Sequence, residues 1–213
     1  MIKLTTLKEV PPFAQGLVRD VRVRWALEEA GLPYETRLLA MGEHKSPEYV
    51  ARQPFGQVPV IEDDGLTLFE SGAIVLHIAG QSDRLLPAEP AARARAVAWV
   101  FAALNSIEPP IQQLVEIDLF HAEAEWAPMR RPSAEQQAQA RLDALAAWLE
   151  GREWLEDDFT VGDLIMATVL QIPRHTELVT GHAVLGPYLA RCEARPAFTR
   201  AMDEHMKAHS QAA

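Results

Sequence analysis

Cysteine is almost absent from this chain. Cys192 is the single thiol in 213 residues, which excludes an internal disulfide and any paired-cysteine redox or zinc motif. Because cysteine is among the most buried residue types, Cys192 is expected as a packed helical thiol. Positive charge is also in short supply. Twenty Lys and Arg against thirty Asp and Glu leave a net charge of −10, and nucleic acid or an anionic membrane is thereby excluded as the main partner, since both require a basic surface. An anionic ligand would have to be held by local cations. No apolar run approaches the length of a membrane span, and Met1–Leu4 shows no charged leader followed by an apolar core, so the expected location is cytoplasmic, away from a membrane. The histidines fall at no metal-binding spacing, and neither a P-loop nor a Gly-x-Gly-x-x-Gly motif is present, so no metal is expected.

What is present divides in two. Ile2 to Leu7 reads as a strand, the prolines at 11 and 12 impose a loop, and from about Gly16 to Gly31 the apolar residues Leu17, Val21, Trp25 and Leu27 recur at helical spacing. Tyr34 to Leu39 alternates as a second strand, so the opening is a βαβ unit with parallel strands. Val58–Ile61 and Leu66–Phe69 form a hairpin about Asp63, Asp64 and Gly65, and an apolar helix follows from Gly72 to Gly80. Beyond a polar, proline-bearing stretch no strand pattern returns. The expected division is an α/β domain at 1–81, a linker at 82–90 and an all-helical domain at 91–213. Within the latter, helices are expected from Ala91 to about Phe120 (strained near Pro109 and Pro110, with Val97, Val100, Phe101, Leu104 and Ile107 on one side), Ser133–Glu150, Thr160–Gln171, Pro187–Ala194 and Pro196 to about Lys207.

Four short motifs carry chemical information. Pro59, one residue into an apolar strand, has no N–H, so the edge at Val58 cannot be fully paired within the protein; a cis Val58–Pro59 bond would turn backbone groups outward to an extended ligand, and an ordinary edge-strand proline is the other reading. Glu70 and Ser71 open a helix. Ser71 as N-cap, with the first-turn amides, could hold a carboxylate while Glu70 accepts from an ammonium, or the pair could simply cap the helix. His44 and Lys45 are adjacent cations on a polar turn, suited to a second carboxylate with Gln57 as a further donor, or merely solvated. Thr160 and Asp163, with Phe159 and Leu164 at the staple positions, read as a structural capping box.

The stretches Gly42–Tyr49 (GEHKSPEY), Gln53–Val60 (QPFGQVPV), Leu68–Ile74 (LFESGAI) and Arg22–Glu29 (RVRWALEE) together resemble the glutathione transferase superfamily, the first three its plant-type phi class and the last the first helix of bacterial members. The resemblance extends over nearly the whole chain. It implies a thioredoxin-like N-terminal domain, an all-helical C-terminal domain, a homodimer, and glutathione as cosubstrate. Carried over by position, it implies that Val58, before a cis Pro59, pairs with the cysteinyl backbone of glutathione, that Glu70 and Ser71 hold the γ-glutamyl end, and that His44, Lys45 and Gln57 hold the glycyl carboxylate.

One region departs from the pattern. Members of the family place a Ser, Tyr or Cys just after the first strand, and Thr5–Gln15 (TTLKEVPPFAQ) contains none of these. The sources left for stabilising a thiolate are the Thr5 or Thr6 hydroxyl, the Gln15 side chain, and the backbone N–H groups of Phe13, Ala14 and onward to Gly16 at the start of the first helix; the last are favoured, since helix N-termini lower thiol pKa. The function implied is conjugation of glutathione to a hydrophobic electrophile in detoxification. The missing side chain keeps open a non-enzymatic binding protein, and a glutathione-dependent isomerase or peroxidase is a further alternative.

Overall fold

The computed structural model describes residues 1–210, which group by packing into one unit of residues 1–86 together with the C-terminal segment from Arg195, and a second of residues 87–194. In the first unit, β1 (Ile2–Leu7), α1 (Asp20–Ala30), β2 (Tyr34–Leu39), the short α2 (Pro47–Val50), β3 (Val60–Asp63), β4 (Leu66–Phe69) and α3 (Ser71–Ala79) follow in chain order. The sheet order is β2-β1-β3-β4, with β1 parallel to β2 and antiparallel to β3, and β3 antiparallel to β4. The β3–β4 turn has Asp64 and Gly65 both at positive φ, the conformation a two-residue hairpin of right-handed twist demands. Ile2, Leu4, Val60 and Ile61 of the sheet and Val23, Trp25, Leu27, Ile74 and Ile78 of the helices are buried.

The strand expected at Val58–Ile61 is displaced to Val60–Asp63. Pro59 has no amide to donate, so pairing with β1 starts beyond it, at Thr5 opposite Val60. Helix α1 begins at Asp20 and not near Gly16, because a three-residue 3-10 turn, Pro12–Ala14, and further turns occupy the chain before it.

The last helix, α9 (Pro196–Ser210), belongs by packing with the α/β unit, whereas the sequence division placed it in the helical domain of residues 91–213. Its anchors are specific. Arg195 donates from Nε and Nη2 to the two carboxylate oxygens of Glu29 at 2.5 and 2.9 Å, Arg200 pairs with Glu28 at 2.7 Å, and the Trp25 and Phe198 rings meet edge to face with centroids 4.8 Å apart.

The second unit is helical: α4 (Pro90–Ala102), α5 (Glu108–Phe120), α6 (Ala127–Leu149), α7 (Val161–Leu170) and α8 (Leu185–Glu193). A π-turn at Ala103–Ile107 joins α4 to α5, with the Glu108 N–H reaching back to the Ala103 carbonyl. Pro109 and Pro110 remove the two amides that the α-helical pattern would direct at Asn105 and Ser106, and the widened turn absorbs that loss. Val100 and Ile107 are buried, but Phe101, expected beside them, is exposed. Helix α6 starts six residues before the expected Ser133 and carries Pro132 within it. Its first turns are held by tertiary pairing, Arg131 gripping both carboxylate oxygens of Asp118 on α5 at 2.7 and 3.1 Å. Cys192 is wholly buried on α8. The capping box forms: Thr160 accepts from Gly162 N–H, and Asp163 accepts from Thr160 N–H at 2.9 Å. The same carboxylate also takes the Leu155 N–H and the Tyr188 hydroxyl, each at 2.9 Å. No helix of the described residues is long and apolar enough to cross a membrane.

Candidate functional site

All the residues singled out for a peptide ligand lie in the α/β unit, on the loops and helix starts around β3 and β4. The Val58–Pro59 bond is cis, and Val58 stands outside the β1–β3 register. Its side chain packs with Phe69 against the buried cluster of Leu39, Tyr49 and Val60. The preceding loop is built around Gln53, a residue missed in the sequence, whose buried side-chain oxygen accepts from the amides of Phe55 and Gln57 at 2.7 and 3.1 Å. Tyr49 completes the support by donating its hydroxyl to the Gln57 carbonyl at 2.7 Å. Burial pushes the Tyr49 phenol up to about 12, so it remains a donor throughout the neutral range.

Lys45 Nζ donates to the Gly56 carbonyl at 3.0 Å. An ammonium has three protons, so this bond fixes the side chain without exhausting it. Gly56 adopts φ +59, and a Cβ there would lie 2.8 Å from the His44 carbonyl oxygen, so the turn bearing His44 and Lys45 and the loop bearing Gln57 approach as closely as glycine permits. His44 is half-buried, and its Nδ1 meets no hydrogen-bond partner among the described residues.

The helix start differs from the expectation. The N-cap is Glu70, not Ser71, and its side chain makes no cap hydrogen bond there. Glu70 sits at φ 66, ψ 115, a region costly for a side-chain-bearing residue, while its side chain remains exposed. Ser71, the first helical residue, is buried at 5% exposure. Its hydroxyl oxygen accepts from Arg22 Nη1 at 3.4 Å, which leaves the hydroxyl proton to point elsewhere. Arg22 is itself buried, between Val21 and Val23 on α1. A charged residue inside a buried helical stripe was the signal for it, and the helical pattern alone passed over it.

The segment expected to face a thiol is a compact turn. Ala14 N–H donates to the Pro11 carbonyl at 2.9 Å, and Gln15 N–H to the Pro12 carbonyl at 3.4 Å. The turn precedes α1 and does not start it, so the helix-start argument for these amides does not apply, and the Ala14 amide is directed inward. Phe13 is exposed and Gln15 half-buried. Thr5 and Thr6 are buried in the central strand, and the Thr6 hydroxyl meets no hydrogen-bond partner among the described residues.

Comparison with known proteins places the chain among relatives of known family and fold. The profile of the glutathione S-transferase N-terminal domain matches residues 15–80. Glutathione S-transferase 3 of Zea mays is 32% identical over 194 residues, 84% of this chain and 86% of the plant protein. Glutathione S-transferase 4 of the same plant is 54% identical over a shorter stretch of 59 residues, and the match spans only 27% of this chain and 26% of that protein. Among solved structures, a glutathione transferase family member from Pseudomonas fluorescens pf-5, with two glutathiones bound, superposes with a TM-score of 0.82 at 28% identity over 94% of this chain and 92% of the other. With its mixed four-stranded unit, its helical unit and these relatives, the chain belongs to the glutathione S-transferase family.

Proposed function

We propose that the protein is a glutathione transferase that joins the glutathione thiolate to an electrophilic carbon of a hydrophobic small molecule. The observation that carries this reading is the start of α3, where Glu70 holds an unfavourable backbone conformation with an exposed carboxylate and adjoins Ser71, whose oxygen is occupied by Arg22. Strain kept in place by surrounding structure marks a functional position. Glu70 would accept from the γ-glutamyl ammonium, and Ser71 would donate to the adjoining carboxylate. The Val58 backbone would pair with the cysteinyl residue, with Pro59 fixing the edge. His44, Lys45 and Gln57 would receive the glycyl carboxylate.

Glutathione enters as a thiol, gives its proton to solvent water, and attacks through sulfur; a carbon–sulfur bond forms, and in a substitution the leaving group departs with its bonding pair. In this reading the sulfur lies against the turn before α1, with the Phe13 amide and the Gln15 carboxamide as the donors that stabilise it. Burial of the Thr6 hydroxyl weighs against that side chain. The protein is further read as a cytoplasmic, detoxifying homodimer, with residues 1–81 as the glutathione-binding domain and 82–90 as a linker. Retention on immobilised glutathione with turnover of a reactive aryl halide tests the central claim. Binding without turnover of aryl halides, isomerisable substrates or hydroperoxides would instead identify a glutathione-binding protein without catalysis, the reading favoured by the missing Ser, Tyr or Cys.

A further inference from the structure

His205 lies near the end of α9, 189 residues from the turn that leads into α1, yet it is wholly buried beside that turn. The Gly16 N–H donates to its Nε2 at 3.0 Å. An amide can only donate, so Nε2 is the unprotonated nitrogen and the ring proton is on Nδ1. Nδ1 faces Asp20 Oδ2 at 3.3 Å, the same oxygen that accepts from Arg24 Nε at 2.8 Å. Arg24 also donates to Thr36 of β2 at 3.1 Å. Asp20 and Arg24 are both fully buried. Burial alone would raise the Asp20 carboxyl, but the hydrogen bond from His205, together with the charge and hydrogen bond of Arg24, holds it below the ordinary range.

We infer that His205, oriented by Asp20, is a positioning residue for the thiol-facing turn: it holds the Gly16 amide from the protein's interior and so fixes the path of Phe13–Gln15. Three features support a role in the geometry of the turn over a role in packing alone. Gly16 has φ +79, a conformation in which the chain reverses sharply and must be held by something. The turn itself is short of regular structure, three residues of 3-10 helix with no buried member, so a hydrogen bond at its exit has a large share in fixing it. A buried histidine with a defined tautomer, held by a buried carboxylate that is itself gripped by an arginine, is also a costly substitute for an apolar side chain. The inference rests on the reading of this turn as the site of the glutathione sulfur.

The test compares wild type, His205→Leu and His205→Gln. Glutamine can present a carbonyl oxygen to the Gly16 amide and a carboxamide N–H toward Asp20; leucine can do neither. In the wild type, the Gly16 amide should exchange with solvent at least about tenfold more slowly than an exposed amide, as a buried bonded N–H does. Exchange at the exposed rate overturns the inference without any variant, should His205→Leu fail to fold. In His205→Leu, the ionisation of bound glutathione, followed by thiolate absorbance, should rise by about one pH unit while glutathione affinity changes less than about twofold. His205→Gln should restore the wild-type ionisation. An unchanged ionisation in His205→Leu, or a His205→Gln as impaired as the leucine variant, overturns the positioning role while leaving the transferase reading intact. A wild-type protein whose bound thiol ionises at its solution value overturns both.

Discussion

Glu70 offers the sharpest test of how this site is built, because its backbone and its side chain make opposite predictions. At φ 66 and ψ 115 the residue occupies a region that costs a side-chain-bearing residue on the order of 1–3 kcal/mol. Glycine removes that cost, but its freer unfolded chain takes back roughly 0.5–1 kcal/mol. The exposed Glu70 side chain makes no cap hydrogen bond, so little else is lost. Glu70→Gly should therefore leave the protein between about equally stable and 2 kcal/mol more stable, which for a chain of this size raises the melting temperature by up to roughly 4–8 °C. Glutathione affinity should move the other way, falling by about tenfold or more as the acceptor for the ammonium disappears, since a hydrogen bond to a charged group is worth about 1.5–3 kcal/mol. Glu70→Gln separates the two effects: it keeps the backbone cost and removes only the charge, so stability should hold while affinity falls. Differential scanning calorimetry and titration calorimetry with glutathione read both quantities. A Glu70→Gly variant that melts clearly below wild type would refute the strain argument, and one that binds glutathione normally would refute the assignment of the carboxylate.

Ser71→Ala should weaken glutathione binding by about 1–3 kcal/mol through loss of one buried bond to a charged group; unchanged affinity would remove Ser71 from the site. Asp163→Ala leaves the buried amides of Leu155 and Thr160 and the Tyr188 hydroxyl without their acceptor, and should cost roughly 3–5 kcal/mol in chemical denaturation. Asp163→Asn should retain part of that, and a loss under about 1 kcal/mol for the alanine variant would show the box to be dispensable. The Asp63 carboxyl is held below its ordinary range chiefly by the hydrogen bond from His77, against the opposing effect of burial, with Gln81 adding to the lowering. A depressed folded-state value means the contribution is present above the unfolded aspartate value near 3.9 and is lost as pH falls through the lower folded one. Thus His77→Ala should lower the urea midpoint near neutral pH, and the difference from wild type should shrink at acid pH below the aspartate range; a difference that grows there would contradict the linkage.

Much of the α/β unit could be read from local pattern. The alternation of Tyr34–Leu39, the Asp64–Gly65 turn and the apolar run after Ser71 each depend on neighbours a few residues apart, and each appears as expected, with β3 shifted by two residues because Pro59 cannot donate. Helix boundaries failed where tertiary pairing decides them. Pro132 looks like a stop in sequence, but Arg131 on Asp118 carries α6 through it. At the candidate site, His44, Lys45, Gln57, Val58, Glu70 and Ser71 were legible as residue types, while Gln53, Tyr49 and Arg22, which hold their surroundings, were not: Gln53 and Tyr49 bond to nearby loop backbone that no side-chain pattern marks, and Arg22 reaches Ser71 across 49 residues.

By itself, the sequence determined that this is a folded α/β chain followed by helices, with residues in Gln53–Ser71 suited to an extended peptide with charged ends. Hydrophobic period, proline geometry and turn chemistry act over a few residues and leave their mark in any stretch that obeys them. Only the tertiary structure decided that Glu70, and not Ser71, caps α3, that the turn before α1 stands apart from the helix, and that α9 returns to the first unit to place His205 on Gly16. The last of these depends on buried polar groups that find partners across 189 residues, and hydrogen-bond satisfaction at that range has no local pattern to betray it.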